Sequence, residues 1–524
     1  MKISKEISNM KALFKNVYFI AIIFAVIKLL IHLLTNTNYD LHRDTFLYYS
    51  ISQHLDWGYV SVPPLIAFIT RFSLFLFGYS AFGLNVFPAL VGSIEIIMLA
   101  LVVVELGGGR KAIFLACLAF LVSPAYLRSN TLLQPVSFDH FFWFLSAYFI
   151  LKLLKTEQPK FWIYIFIVWA IGFLNKYLIA VYAVSFILGL LMVKERKVLF
   201  SKYFVWGALL GSIIIGPNLF WQFSKNWPVL RHLSELTAYQ LVNVSLVGFT
   251  FDQFLMNFPG VLVWIAGLFV FIIRPSERKY LTFSITSVLT ILLLLLVHGK
   301  SYYTLGLYPF LLAAGGYAFE KYQPGWYLKF VVVFAIVFAL PMLPISLPIF
   351  SLKKVESYTE KFAGSINTWE DGKIHKIPQD YADMTGWKEL AKLVIKTYQS
   401  LPDSEKTRCS IYAENYGQAG AVKFYGRPFK IPEPISFNDN FLLWAPDSFK
   451  RKNLIYINDT IGDIKYLYKS CVLKGKINNQ YFRENGLMVF YCTQPVDSFK
   501  FFYQKKVAHL KSIYRRTTAL TSSH

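Results

Sequence analysis

Apolar residues run in long blocks over the first two thirds of the chain, broken by short polar turns, and the blocks shorten after about residue 350. A block of roughly 17–25 apolar residues matches the ~30 Å hydrocarbon core of a bilayer at about 1.5 Å per helical residue. The pattern predicts eleven spans, at about 17–35, 82–105, 111–127, 138–154, 161–174, 177–193, 203–222, 257–273, 280–297, 302–318 and 328–349. Residues 63–79 are apolar but open on Pro63-Pro64 and contain Arg71, so they read as an interfacial or re-entrant helix. Residues 223–256 read as a long outer loop.

Beyond residue 350 charges become frequent. Trp387 to Val394 has the spacing of an amphipathic helix, and the runs Ser410–Ala413, Leu454–Ile457 and Gly486–Tyr491 have that of short strands. The expected fold is a polytopic α-helical membrane protein. Residues 1–349 form the membrane domain, with a first outer loop over 36–81, and residues 350–524 form a soluble extracytoplasmic α/β domain. The basic stretch from Lys505 to the C-terminus is expected to fray.

Composition agrees with this pattern. Of 524 residues, 55% are hydrophobic and only 16% charged, against about 25% charged in soluble domains. The formal net charge of +23 is carried by Lys and Arg clustered in turns between blocks. That is the asymmetry of the positive-inside rule, so the N-terminal tail with Lys2, Lys5, Lys11 and Lys15 is assigned to the cytoplasm. No basic-aromatic module suggests nucleic acid. Cys117 lies in an apolar block, and Cys471 and Cys492 are compatible with either a disulfide or free thiols.

The candidate chemistry lies in the outer turns. Asp44, directly after the first span, could activate a hydroxyl or hold a divalent cation; equally, it could cap a short helix running to Leu55. Asp56, before Trp57-Gly58-Tyr59, reads as a turn residue. Asp139 and His140 open the fourth span on the same predicted side, so Asp44, Asp139 and His140 form a candidate cation set, with helix capping as the plainer alternative. Lys300, in His298-Gly299-Lys300-Ser301-Tyr302-Tyr303, could meet a phosphate at a helix start, or snorkel. Lys176, Arg128 and Arg231 carry the same ambiguity, and the Trp227–Leu236 loop reads as an interfacial anchor or a lid.

The run Arg43-Asp44-Thr45, Tyr48-Tyr49, His54-Leu55, Trp57-Gly58-Tyr59-Val60 and Pro63-Pro64-Leu65-Ile66-Ala67 resembles the first outer loop of bacterial GT-C glycosyltransferases of family 39. These are the protein-mannosyltransferase type, related to the aminoarabinose transferase acting on lipid A. Stretches Trp227–Val242, Gly299–Tyr303 and Asn415–Ala421 share the likeness. The resemblance implies inverting transfer of a sugar from a polyprenyl-phosphate donor to a lipid, glycan or protein acceptor, on the non-cytoplasmic face of a bacterial inner membrane. It implies Asp44 and Asp139 as catalytic acids and Lys300 as a donor-phosphate contact; Tyr302, Arg128, Lys176 and Arg231 are further candidates for that phosphate from their place in the outer turns. Two positions depart from the family: Thr45 stands where Glu is common, and Val62 where His precedes the prolines. The rivals are an inactive scaffold and a flippase for lipid-linked sugar. A flippase predicts charged or broken mid-membrane helices, which the pattern does not display.

Overall fold

The structure is a computed structural model that describes residues 2–362, 364–449 and 451–515. The chain forms two compact units. The first comprises Met1–Thr37, Phe82–Pro217 and Thr237–Ile349; the second comprises Asn38–Ala81, Asn218–Leu236 and the chain from Phe350 onward.

The first unit is helical. Among the described residues, five helices are long and apolar enough to cross a membrane, within Tyr18–Thr35, Ala81–Leu106, Lys202–Ser224, Pro275–Leu296 and Gly325–Ser346. A sixth crossing results if Leu246–Leu255 and Phe258–Ile273, bent by 68°, count together. The chain is an integral membrane protein, and length alone supports five or six of the eleven expected crossings. Those expected at 161–174 and 177–193 are the apolar helices Phe161–Asn175 and Ile179–Leu191, of 15 and 13 residues. The one at 111–127 breaks into Arg110–Leu121 and Pro124–Ser129, because Pro124 cannot donate to a preceding turn and instead opens a new helix. The expected loop at 223–256 is mostly the helices Pro228–Tyr239 and Leu246–Leu255. The basic segment before the first span is helical too, since one helix runs Lys2–Thr35.

Two glycines let helices touch backbone to backbone. A Cβ at Gly267 would lie 1.9 Å from the Leu311 carbonyl, and one at Gly315 1.8 Å from the Val263 carbonyl. No side chain fits there, so Val261–Ile273 and Tyr308–Tyr322 pack by the small-residue route common inside membranes.

Contrary to the sequence expectation, charges do lie within spans. Lys28 and Glu95 are fully buried. The Lys28 ammonium donates to the Tyr126 carbonyl at 3.1 Å, and Glu95 lies within its Coulombic range. Glu95 Oε1 is 2.7 Å from His140 Nδ1, and His140 Nε2 is 3.1 Å from the Ser129 hydroxyl. The network joins the first two spans to the start of helix Pro135–Thr156, which carries Asp139.

The second unit is built on a sheet. Among the described residues it has four strands: β1 (Cys409–Ala413), β2 (Asn453–Asn458), β3 (Tyr468–Lys476) and β4 (Met488–Pro495). Their order is β1-β2-β4-β3, with β1 parallel to β2 and the other pairs antiparallel. The sequence misses β3, whose largely exposed edge lacks a clean alternation. Cys471 of β3 and Cys492 of β4 face each other and form a disulfide. Helix Phe499–Ser512 buries Phe499, Tyr503 and Val507 against the sheet. The tail expected to fray from Lys505 is thus helical to Ser512, and positions 516–524 lie outside the described residues.

The first-loop segment belongs to this second unit. The Asp56 carboxylate accepts from its neighbour Trp57 N–H at 2.7 Å and from the Trp221 indole at 2.8 Å. The Asn218 side chain donates to the Trp57 carbonyl at 2.7 Å. Gly58 is required at the turn, because a Cβ would sit 2.4 Å from the Trp221 ring.

Removing one member of the buried pair should expose its cost. Lys28→Met is expected to destabilise the detergent-solubilised protein by up to roughly 3–5 kcal/mol, because the buried Glu95 loses a nearby cation and keeps only the His140 ring. The double variant Lys28→Met/Glu95→Gln should recover most of that loss. Thermal unfolding of the purified variants checks this, and equal melting of single and double variants would refute the pairing.

Candidate active site

The site in the second unit starts from a helix N-terminus. Helix Arg43–Ser52 is capped by His42, whose Nδ1 accepts the Asp44 amide at 3.2 Å. The capping role considered for Asp44 therefore falls to His42. Asp44 sits in the first turn, where the helix dipole favours a negative charge. Its carboxylate Oδ1 accepts a 2.7 Å hydrogen bond from the Tyr416 hydroxyl.

Tyr416 opens helix Tyr416–Gly426. Its cap is Asn415, which accepts the amides of Gly417 and Gln418 at 2.9 and 3.1 Å. This helix lies against Arg43–Ser52 because two of its residues lack side chains. A Cβ at Gly420 would come within 2.7 Å of Phe46, and one at Gly417 within 2.9 Å of Arg43. The Asn415–Ala421 stretch thus supplies a cap, a hydroxyl and two close-approach glycines in seven residues.

Around Asp44 acidic and basic side chains alternate. The His42 ring lies 3.9 Å from Asp44, 3.8 Å from Asp383 and 3.9 Å from Asp380. Arg483 Nη1 donates to both Asp383 oxygens at 3.0 Å, and the Arg43 guanidinium lies 4.6 Å from the Tyr416 ring centre. Burial works to raise the Asp44 pKa, but His42, the Tyr416 hydroxyl, Arg43 and Arg483 together outweigh it and hold the group below the usual carboxylate range. Asp383 goes the other way: burial dominates, and the Asp44 charge adds to the rise. Burial also pushes the Tyr416 phenol well up, which keeps it a donor. The Asp44 side chain is 32% exposed and that of Asp383 4%. Of the two, Asp44 is the ionised carboxylate with access to water.

A second cluster lies in the first unit. Asp139 sits in the first turns of Pro135–Thr156 and accepts the Trp143 indole at 3.1 Å. Lys176 is close enough to Asp139 and to Lys300 to feel both charges. The Lys176 ammonium lies 5.0 and 4.5 Å from the ring centres of Tyr302 and Tyr303. Lys300 caps the 3-10 turn Ser301–Leu307 and donates to the Gln240 side chain at 2.7 Å. Asp139, Lys176, Lys300 and Tyr302 therefore form one group. Arg128 instead donates to the Ile345 carbonyl at 3.0 Å, and Arg231 pairs with Glu235 at 3.1 Å on an exposed helix face.

The candidate cation set fares differently. Among the described residues no group of three or more His, Cys, Asp or Glu could hold a metal ion. His140 has both ring nitrogens engaged, by Glu95 and Ser129. The sequence assigned no role to His42, Asp383, Tyr416, Arg483, Lys28 or Glu95. For Lys28 and Glu95 a signal existed, a charge in mid-span. For Asp383 and Arg483 none did, since only folding sets them around His42.

Residues 61–221 match the family model of dolichyl-phosphate-mannose-protein mannosyltransferases. That segment contains Asp139 and Lys176; Asp44 and Lys300 lie outside it. No curated protein sequence matches the chain. Among solved structures, ArnT from Cupriavidus metallidurans bound to undecaprenyl phosphate aligns over 90% of this chain and 97% of its own, with TM-score 0.59 at 13% identity. The apo form of that ArnT aligns over the same shares, with TM-score 0.57 at 12% identity. The arabinofuranosyltransferase AftD from Mycobacteria aligns over 91% of this chain and 40% of its own, with TM-score 0.48 at 12% identity. The chain has the GT-C fold of the protein-mannosyltransferase and ArnT type.

Proposed function

We propose that the protein is a glycosyltransferase that moves a sugar from a polyprenyl-phosphate donor to an acceptor hydroxyl on the non-cytoplasmic face of a bacterial inner membrane. The observation that carries this reading is the ionised, part-exposed Asp44, held by the Tyr416 hydroxyl on a fold of the ArnT type. ArnT itself was solved with undecaprenyl phosphate, a polyprenyl phosphate, which supports that donor class here.

In this reaction Asp44 takes the proton from the acceptor hydroxyl as the oxygen attacks C1 of the donor sugar. The C1–oxygen bond to the phosphate breaks, the lipid phosphate leaves, and configuration inverts. A well-placed general base contributes on the order of 10²–10⁴-fold. Lys176 and Lys300 take the donor phosphate as point charges, with Tyr302 beside them. Asp139 balances Lys176 while the site is empty. The Lys and Arg distribution orients the chain with its N-terminus in the cytoplasm. The second unit, outside the membrane on this reading, presents the acceptor.

Asp44→Asn is expected to abolish transfer from a polyprenyl-phosphate sugar in membranes at unchanged expression; retained activity would remove Asp44 from the mechanism. Lys300→Ala is expected to raise the apparent KM for the donor by about tenfold or more, the weight of a charge-assisted contact. An unchanged KM would leave Lys300 a snorkelling residue.

A base must be deprotonated to act, so activity falls as pH drops through its pKa. In the wild type that acid limb lies below the usual carboxylate range, because Asp44 is held low. Tyr416→Phe removes a hydrogen bond that favours the carboxylate, so the acid limb of kcat/KM should move to higher pH. A limb that stays in place would exclude Asp44 as the titrating base.

A further inference from the structure

The helix pair that holds Asp44 has a second end. At one end Tyr416 meets Asp44; at the other, Lys423 Nζ lies 3.1 Å from His54 Nε2. The two helices thus run side by side in the same direction. Seven residues separate Tyr416 from Lys423 and ten separate Asp44 from His54. Along the second helix, at about 1.5 Å per residue, the two ends are roughly 10 Å apart.

Beside this second end is a cavity of about 350 Å³, lined among others by His54, Glu433, Trp444, Ser448 and Arg451. The His54 ring stacks on the Trp444 indole at 4.2 Å. Lys423 pairs with Glu433, and His54 lies 3.4 Å from the same carboxylate. Pro432 and Pro434 flank Glu433 and stiffen its backbone. The hydrogen bond from His54, with Lys423 behind it, drives the Glu433 carboxyl down to about 2, so it stays an acceptor at any physiological pH. The five-residue turn carrying Trp444 begins at Asn440, whose side chain accepts the Val60 amide of the first loop at 3.3 Å.

This lining selects its ligand. An acyl chain would strip water from Glu433 and Arg451 at a cost of several kcal/mol. A phosphate would meet Arg451 but also the Glu433 carboxylate, whose ion pair with Lys423 it would have to break. A sugar ring offers C–H faces for the aromatic wall and hydroxyls for the carboxylate, the serine and the arginine. We propose that this cavity binds an internal sugar of a glycan acceptor, while the glycan's reacting end lies at Asp44. Resting on the transferase reading above, this names the acceptor class: an oligosaccharide long enough to reach from His54 to Asp44. The helix pair sets the distance between the sugar that is held and the hydroxyl that reacts.

The test is binding, which needs no transfer. Saturation-transfer NMR with maltotriose and chitotriose is run on the full-length protein in detergent, with empty micelles as blank. The wild type is expected to saturate ring protons of at least one probe. Trp444→Ala and, separately, Glu433→Gln are expected to weaken that binding by about tenfold. Glu433→Gln, a change at a half-exposed site, keeps the test sound should Trp444→Ala unfold. Absence of saturation from both probes, or equal saturation by wild type and Glu433→Gln, overturns the proposal. Because the readout is binding, loss of the transferase reading through Asp44→Asn would leave this result standing, and the reverse holds too.

Discussion

One hydroxyl joins two stretches 372 residues apart in the chain: Tyr416 donates to Asp44. Several features of the site depend on that contact. It requires two helices to approach closer than side chains ordinarily permit, and Gly417 and Gly420 supply the room. Each helix presents its N-terminal turn to the same carboxylate neighbourhood, so backbone dipoles, a phenol and two arginines act on one acid. Loss of a single glycine would separate the pair, and the acid would keep its place in the first turn without its hydroxyl partner.

The neighbourhood separates two acids by environment. His42 lies almost equally far from Asp44 and Asp383. Asp44 opens to water and gathers stabilising partners, whereas Asp383 is enclosed and held by Arg483. Opposite shifts let two neighbouring carboxyls hold different charge states at the same pH.

In the first unit the same electrostatic rule operates without water. Lys28 and Glu95 sit where a lone charge would be costly, and each is matched. The pairing reaches His140, one residue from Asp139, so the buried network fixes the end of the helix that carries the second acid. It also engages both ring nitrogens of His140. Lys176 and Lys300 are gathered beside the tyrosines Tyr302 and Tyr303, a setting suited, under the proposed reaction, to the charge that builds on the lipid phosphate as it leaves.

Much of this was legible along the chain. Block length gave an integral membrane protein but not its count of crossings, five or six of the eleven expected being long enough among the described residues; alternation gave β1, β2 and β4, because burial on one face repeats at the period of the element. The first-loop run marked Asp44, and the Asn415–Ala421 run marked the helix that meets it. Neither run said that they meet. The second unit draws on three separate stretches of chain, so its makeup depends on long-range packing that no local window contains. The hydroxyl on Asp44, the acids around His42 and the His54–Trp444 cavity are products of that packing. Local sequence decides which backbone shape a segment takes; tertiary structure alone decides which distant groups then share one electrostatic environment, because Coulomb and hydrogen-bond energies depend on distance in space rather than along the chain.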